Sequence, residues 1–252
     1  MVVGLEKFKE HFADYASCYI LIGGAACSVA MEHEGLEFRS TKDLDIVLCI
    51  EVLDAAFGKA FWEFVEAGGY KNQQKSTGKA IFYRFHTPQN SDYPVMLELF
   101  SRKPDLLPER AGATLTPIPV GEEVSSLSAI LLHVGYYEYI HSRKTTIEGI
   151  SMVGIDCLIA LKAKAYLDLM ARSRQGHQVD SKDIRKHRND VFRLVQIISP
   201  DLRAELPDAI KSDVREFVAA VEKEAFDVNS FLKGSALTKD VYLNRIRQVY
   251  AL

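Results

Sequence analysis

Tyr19-Ile20-Leu21-Ile22-Gly23-Gly24, and beyond it Arg39-Ser40-Thr41-Lys42-Asp43-Leu44-Asp45-Ile46, are the stretches on which the fold of this chain turns. Four apolar residues closed by two glycines are too few for a helix and read as a buried strand entering a tight turn. Residues 25–34 are rich in good helix formers. Residues 43–50 read as a second strand, wholly apolar after Asp45. Two apart on a strand, Asp43 and Asp45 project from one face, so their carboxylates lie close together. Like charges repel unless a cation sits between them. Such a pair suits Mg2+, which is held by one or two carboxylates together with substrate phosphates. An Asp-x-Asp spacing is common at strand starts and turns, so its weight comes from its neighbours. Glycines at 23 and 24 let backbone approach a bound group, and the helix that follows offers free N–H groups and a positive dipole to a triphosphate. Arg39 and Lys42 flank the aspartates with cations suited to phosphate oxygens.

Working outward, Leu5, Phe8, Phe12, Tyr15 and Ala16 recur at helical intervals, with Glu6, Lys9 and Glu10 on the wet face. Residues 52–67 predict a helix stopped by Gly68-Gly69. Residues 80–86 and 93–100 predict a hairpin around Thr87-Pro88-Gln89-Asn90. In its second strand Glu98 is the one acid in an apolar run, and a buried carboxylate needs a partner. Joined to Asp43 and Asp45, it would complete the ligand set of a two-metal centre, with ions roughly 3.5–4 Å apart. Residues 106–120 are proline-punctuated and irregular, and residues 125–142 fit either strand or helix. The Tyr136-Tyr137-Glu138-Tyr139 cluster in the latter reads as packing. From residue 155 the pattern is helical throughout, over 155–172, 182–198, 203–226 and 238–250. The expected class is therefore α/β (α+β), with one domain over residues 1–154 and a helical domain over 155–252.

The bulk properties exclude some classes. With 252 residues, 48% hydrophobic and 26% charged, the chain has the composition of a globular protein. Its apolar runs are too short to cross a bilayer. The opening Met1-Val2-Val3-Gly4 passes at once into Glu6, Lys7, Lys9 and Glu10, unlike a signal peptide, and predicts a cytoplasmic location with no membrane partner. Cys18, Cys27, Cys49 and Cys157 are scattered in apolar surroundings without paired spacing, and read as small buried hydrophobes rather than zinc ligands or disulfides. A net charge of −3 hides an asymmetry: residues 1–159 carry 14 Lys/Arg against 21 Asp/Glu, residues 160–252 carry 17 against 13. The basic excess lies in residues 162–193, as either solvated helical faces or an electropositive wall for phosphates or RNA.

Ile22-Gly23-Gly24, Asp43-Leu44-Asp45 and the strand acid Glu98 together resemble the signature of the polymerase-beta-like nucleotidyltransferase superfamily. More narrowly, the chain resembles AbiEii-type toxin nucleotidyltransferases. That match rests on Arg39-Ser40-Thr41-Lys42-Asp43-Leu44-Asp45, on Leu158-Ile159-Ala160-Leu161-Lys162-Ala163-Lys164-Ala165, and on Ser181-Lys182-Asp183-Ile184-Arg185-Lys186-His187-Arg188-Asn189-Asp190-Val191, within residues 20–195.

The resemblance implies a mixed sheet with flanking helices, followed by a helical domain that completes the nucleotide and acceptor site. It implies Mg2+, or Mn2+ in its place, on the catalytic carboxylates Asp43, Asp45 and Glu98. The nucleotide would lie near Gly23, Gly24, Arg39, Thr41 and Lys42, with a lysine of the first C-terminal helix in contact. That lysine is Lys162 or Lys164, which point about 200° apart on a helix. Lys164 also shares a face with Asp168 and Arg172, as an ordinary ion-pair ladder would. Asp183, Lys186 and Asp190 either orient the nucleotide lysine or form a solvated stripe.

The implied reaction is in-line attack of an acceptor hydroxyl on the α-phosphorus of an NTP, with pyrophosphate leaving and Glu98 helping to deprotonate the hydroxyl. The implied partners are an NTP, an RNA (tRNA) or protein acceptor, and a cognate antitoxin of a toxin–antitoxin system. Two departures stand out. Ala25-Ala26 occupies the place where many members carry serine, which moves phosphate binding onto backbone N–H groups and cations, and the segment between Gly24 and Asp43 is long. Two other classes share these residues: a small-molecule, antibiotic-type transferase, which the acidic N-terminal half would suit, and a non-catalytic nucleotide-binding module.

Overall fold

The strand Tyr19–Ile22 (β1) is buried along its whole length, which is why it reads as an unbroken apolar run rather than an alternation. The computed structural model describes residues 2–49, 52, 54–70, 82–100, 134–235 and 237–252. Within them β1 lies inside a six-stranded mixed sheet with Asp43–Leu48 (β2), Phe82–His86 (β3), Met96–Phe100 (β4), Lys144–Ile147 (β5) and Ile150–Val153 (β6), in the order β3-β4-β2-β1-β6-β5. β1 runs antiparallel to β2 and parallel to β6; β2 runs parallel to β4; β3–β4 and β5–β6 are antiparallel hairpins.

Eight helices are present among the described residues: Leu5–His11 (α1), Gly23–His33 (α2), Ala55–Gly68 (α3), Val134–Ser142 (α4), Ile155–Arg174 (α5), Ser181–Gln196 (α6), Asp208–Glu222 (α7) and Lys239–Tyr250 (α8). The expected mixed sheet with flanking helices and a following helical segment is present. The chain divides into two compact units, Met1–Gly154 and Ile155–Leu252.

In the first unit the register sorts the sheet residues by face, because paired residues share a side and neighbours along a strand alternate. Tyr19, Leu21, Leu44, Ile46, Leu97 and Phe85 fall on one face. It is covered by a layer of rings from α1 and α3: Phe8 meets Tyr19 at 5.1 Å and Phe64 at 5.7 Å, and Phe61 meets Phe85 at 5.4 Å. Asp43, Asp45, Glu98 and Arg84 fall on the other face.

Local chemistry sets the element ends. α2 begins at Gly23 itself, directly after an extended Ile22, so no separate turn intervenes between strand and helix. α3 begins later than the apolar pattern predicts because the Asp54 carboxylate accepts from the Phe57 amide at 2.8 Å and caps it there. It ends on Gly69, whose φ of 62° closes the last turn.

Three sequence expectations change. The expected opening helix is cut at His11 and followed by a 3-10 turn, Ala13–Tyr15. The ambiguity over residues 125–142 resolves as helix for Val134–Ser142, where Tyr136, Tyr137 and Tyr139 are buried and the Tyr137 hydroxyl donates to the Leu48 carbonyl at 3.0 Å. Residues 80–81, 106–120 and 125–133 lie outside the described residues. The β5–β6 hairpin was not foreseen. Its turn, Glu148-Gly149, has positive φ at both residues (50° and 82°), as tight hairpins require, but glutamate is not the residue that announces such a turn.

Among its described residues the second unit has helices and no strand. Expected residues 203–226 shorten to Asp208–Glu222, because Pro207 lacks an N–H and cannot sit inside a helix, so it stands at the entrance. Beyond the exit, Phe226 joins Phe192 and Phe231 in a ring cluster and lies under the Arg188 guanidinium at 3.8 Å. The Tyr250 hydroxyl donates to the Asp156 carbonyl at 2.6 Å and ties α8 to the start of α5. Cys18, Cys27, Cys49 and Cys157 are buried, and none is in a disulfide. Among the described residues no helix is long and apolar enough to cross a membrane.

Candidate active site

At one end of the sheet β1 finishes, β2 and β4 begin, and β3 finishes, so three strands, β2, β4 and β3, deliver polar residues to one place beside the end of β1. The register aligns Ile22 with Asp45, Asp45 with Glu98, and Glu98 with Arg84 in a single row across the sheet, with Asp43 two residues along on the same face. Asp43 and Asp45 are half-buried, while Glu98 is only 5% exposed.

The two glycines are explained by contacts inside the protein. A Cβ on Gly23 would stand 1.8 Å from Asp45 Oδ2, and φ at Gly23 is +69°. A Cβ on Gly24 would stand 2.6 Å from Thr41 Oγ1, with an Arg39 terminal nitrogen 3.7 Å away. Both missing side chains thus make room for the Arg39–Asp45 segment, which packs against the first turn of α2. No side chain from the residue preceding α2 caps that turn, so the turn offers backbone N–H groups beside the Asp45 carboxylate. Arg39 also lies 5.1 Å from the Phe38 ring; Lys42 is exposed, and its carbonyl accepts from the Val95 amide at 3.1 Å, which joins the site loop to the start of β4.

Glu98 has a partner of its own. Arg84 Nε and Arg84 Nη2 both meet Glu98 Oε1, at 2.6 and 2.5 Å. Sequence reasoning overlooked Arg84. The signal was there in outline, since a hairpin over residues 82–100 must set one residue of Phe82-Tyr83-Arg84-Phe85-His86 against Glu98, but the pairing depends on the register. Among the described residues no three His, Cys, Asp or Glu side chains converge to hold a metal ion. Asp43 and Asp45 have the hard oxygen chemistry that a single divalent cation takes. Glu98 is a neighbour of that pair with its charge already met by Arg84.

The candidate residues of the helical unit occupy different settings. Lys162, 3% exposed, ion-pairs at 3.3 Å with Asp190, which is wholly buried and also meets Arg193 at 3.2 Å. Lys164 bridges Asp168 at 3.3 Å and Asp213 at 3.2 Å. Burial works against the charge on Lys164, but the two carboxylates outweigh it and raise its pKa. Burial likewise raises the pKa of Asp168, against the pull of Lys164 and with the push of Asp213 and Glu216. Asp183 and Lys186 lie on α6 with Asp190 and are exposed, whereas Asp190 is buried. Of the basic residues in 162–193, Lys162, Lys164, Arg188 and Arg193 hold carboxylates within the unit, whereas Arg174, Lys182, Arg185 and Lys186 are exposed.

No family model matches the chain, and no curated protein matches it. Among solved structures it is similar to an antigenic nucleotidyltransferase-like protein from Paracoccidioides brasiliensis, at 12% identity over 98% of this chain and 95% of that one, with a TM-score of 0.46.

Proposed function

We propose that this chain is a metal-dependent nucleotidyltransferase that moves a nucleoside monophosphate from an NTP to an acceptor hydroxyl. The observation that carries the reading is the contact between Gly23 and Asp45. It brings a carboxylate pair on a strand against a helix N-terminus left open by its flanking residue. One element suits a divalent cation, the other suits phosphate oxygens, and a nucleoside triphosphate–cation complex needs both.

In this reading Asp43 and Asp45 hold Mg2+, or Mn2+ in its place. The bound cation supplies charge neutralisation at the reacting phosphate. The first-turn amides of α2, with Arg39, Thr41 and Lys42, bind and orient the triphosphate, and Ala25-Ala26 leaves that task to backbone and cations. Glu98 faces the same row and holds or receives the acceptor's proton.

The acceptor we propose is a polyanion, RNA such as tRNA, in keeping with the exposed Arg174, Lys182, Arg185 and Lys186. A toxin role held in check by a cognate antitoxin is the physiological setting proposed. Incubation with each α-labelled NTP, Mg2+ and either total tRNA or cell lysate tests the reading. Label on tRNA supports it whole; label on protein or on a small molecule keeps the transferase and removes the acceptor; no label in any arm removes both.

A further inference from the structure

We propose that this site takes one divalent cation, between Asp43 and Asp45, and that the Arg84 guanidinium stands in the electrostatic place of a second. The inference rests on the metal-dependent reading above and concerns how many ions the carboxylate row accepts. Three carboxylates, Asp43, Asp45 and Glu98, share one face of the sheet, and the third has a counter-charge of its own: two N–H groups of Arg84 converge on Glu98 Oε1 at 2.6 and 2.5 Å. A guanidinium stays protonated at all working pH values, so this counter-charge is permanent.

The pairing follows from the backbone. β3 and β4 are antiparallel neighbours with Arg84 directly opposite Glu98, and β4 and β2 are parallel neighbours with Glu98 directly opposite Asp45. The row therefore reads cation, carboxylate, carboxylate across three strands, each step one strand spacing wide, about 4.8 Å. Glu98 is buried and the Arg84 side chain is 32% exposed, so the pair is screened less by bulk water than a surface pair would be. A second hard cation on Glu98 would have to displace two N–H donors from Oε1 and then sit next to the displaced guanidinium. Among the described residues no three acidic ligands converge, and Glu98 Oε1 is engaged by two Arg84 N–H groups. Arg84 is accordingly a positioning residue: it holds the Glu98 carboxylate in place along the row without touching the reacting atoms.

Mn2+ titration of the nucleotide-free full chain, read by the electron paramagnetic resonance of free ion, measures the stoichiometry without any turnover. We expect one Mn2+ per chain for wild type and for Glu98→Gln. Arg84→Met is expected to bind two, and Arg84→Met combined with Glu98→Gln to return to one. Arg84→Lys, which keeps the charge, is expected to stay at one. Two ions on wild type with one on Glu98→Gln overturns the proposal and leaves the transferase reading intact. An Arg84→Met chain that is folded by circular dichroism and still binds one ion also overturns it. Should Arg84→Met fail to fold, Arg84→Gln is titrated in its place, with two ions expected and one ion overturning the proposal. No Mn2+ on wild type sinks the metal-dependent reading itself.

Discussion

Gly23 lies so close to the Asp45 carboxylate that a Cβ at residue 23 would stand 1.8 Å from Oδ2, well inside any van der Waals contact. The glycine is therefore part of the site's geometry as well as of the backbone turn.

Gly23→Ala is expected to misplace Asp45 and to strain the backbone, since an alanine at φ +69° costs about 1–3 kcal/mol. Displacement of a site carboxylate by an ångström lowers transfer by about 100-fold or more. Gly24→Ala, which meets the rotatable Thr41 hydroxyl, is expected to cost less. Parallel measurement of Mn2+ affinity and of label transfer ranks the two; equal losses would count against a special role for Gly23.

Asp45→Asn keeps the shape of the side chain and removes its charge. Transfer should drop to background while thermal unfolding stays within a few degrees of wild type, because Asp45 is half-buried at the edge of the core. If the chain is a toxin, cells expressing Asp45→Asn should also outgrow cells expressing wild type, and equal growth would remove that part of the proposal.

Lys162 and Asp190 form a pair buried inside the helical unit, at 3.3 Å. Removing one partner alone leaves an uncompensated charge, so Asp190→Ala should cost about 3–5 kcal/mol of stability. The double variant Lys162→Met with Asp190→Leu should recover part of that loss, and not all of it, because Arg193 also meets Asp190 at 3.2 Å and loses that contact. Urea unfolding of the three chains tests this, and a double variant as unstable as the single one would show that the pair does more than fill space.

The Lys164 cluster gives a pH dependence with a definite sign. Burial opposes its charge, but Asp168 and Asp213 prevail and its folded pKa is raised. Stability from this group is therefore fully present below the ordinary lysine value of about 10.4 and is lost as pH rises through the higher folded value. Asp168 is also raised, chiefly by burial, so its contribution is largest in acid and diminishes as pH climbs through its folded pKa. Stability of wild type minus that of Lys164→Met, followed from pH 9 to pH 12, should decline toward the top of the range; a flat difference would refute the assignment.

Much of the architecture was legible because its signals are local. The β1 run, the apolar stretch after Asp45, the α3 stop at Gly69 and the helical periods after residue 155 each depend on residues within one element. The β5–β6 hairpin was not legible, because Lys144-Thr145-Thr146-Ile147 and Ile150-Ser151-Met152-Val153 are short, their turn uses Glu148, and β6 becomes a sheet strand through its pairing with β1.

Residue types and spacings alone were enough to put Asp43 and Asp45 on one face, to predict a partner for the buried Glu98 and to make the second half of the chain helical, because alternation, desolvation and helical period act along the chain. They could not say who that partner is. Arg84 meets Glu98, Asp45 fills the space of the Gly23 side chain, and Asp190 rather than solvent receives Lys162, because strand register and helix packing join residues far apart in sequence. The first two of those contacts, made only when the chain folds, set a counter-charge and a close-packed helix start around a common Asp-x-Asp spacing.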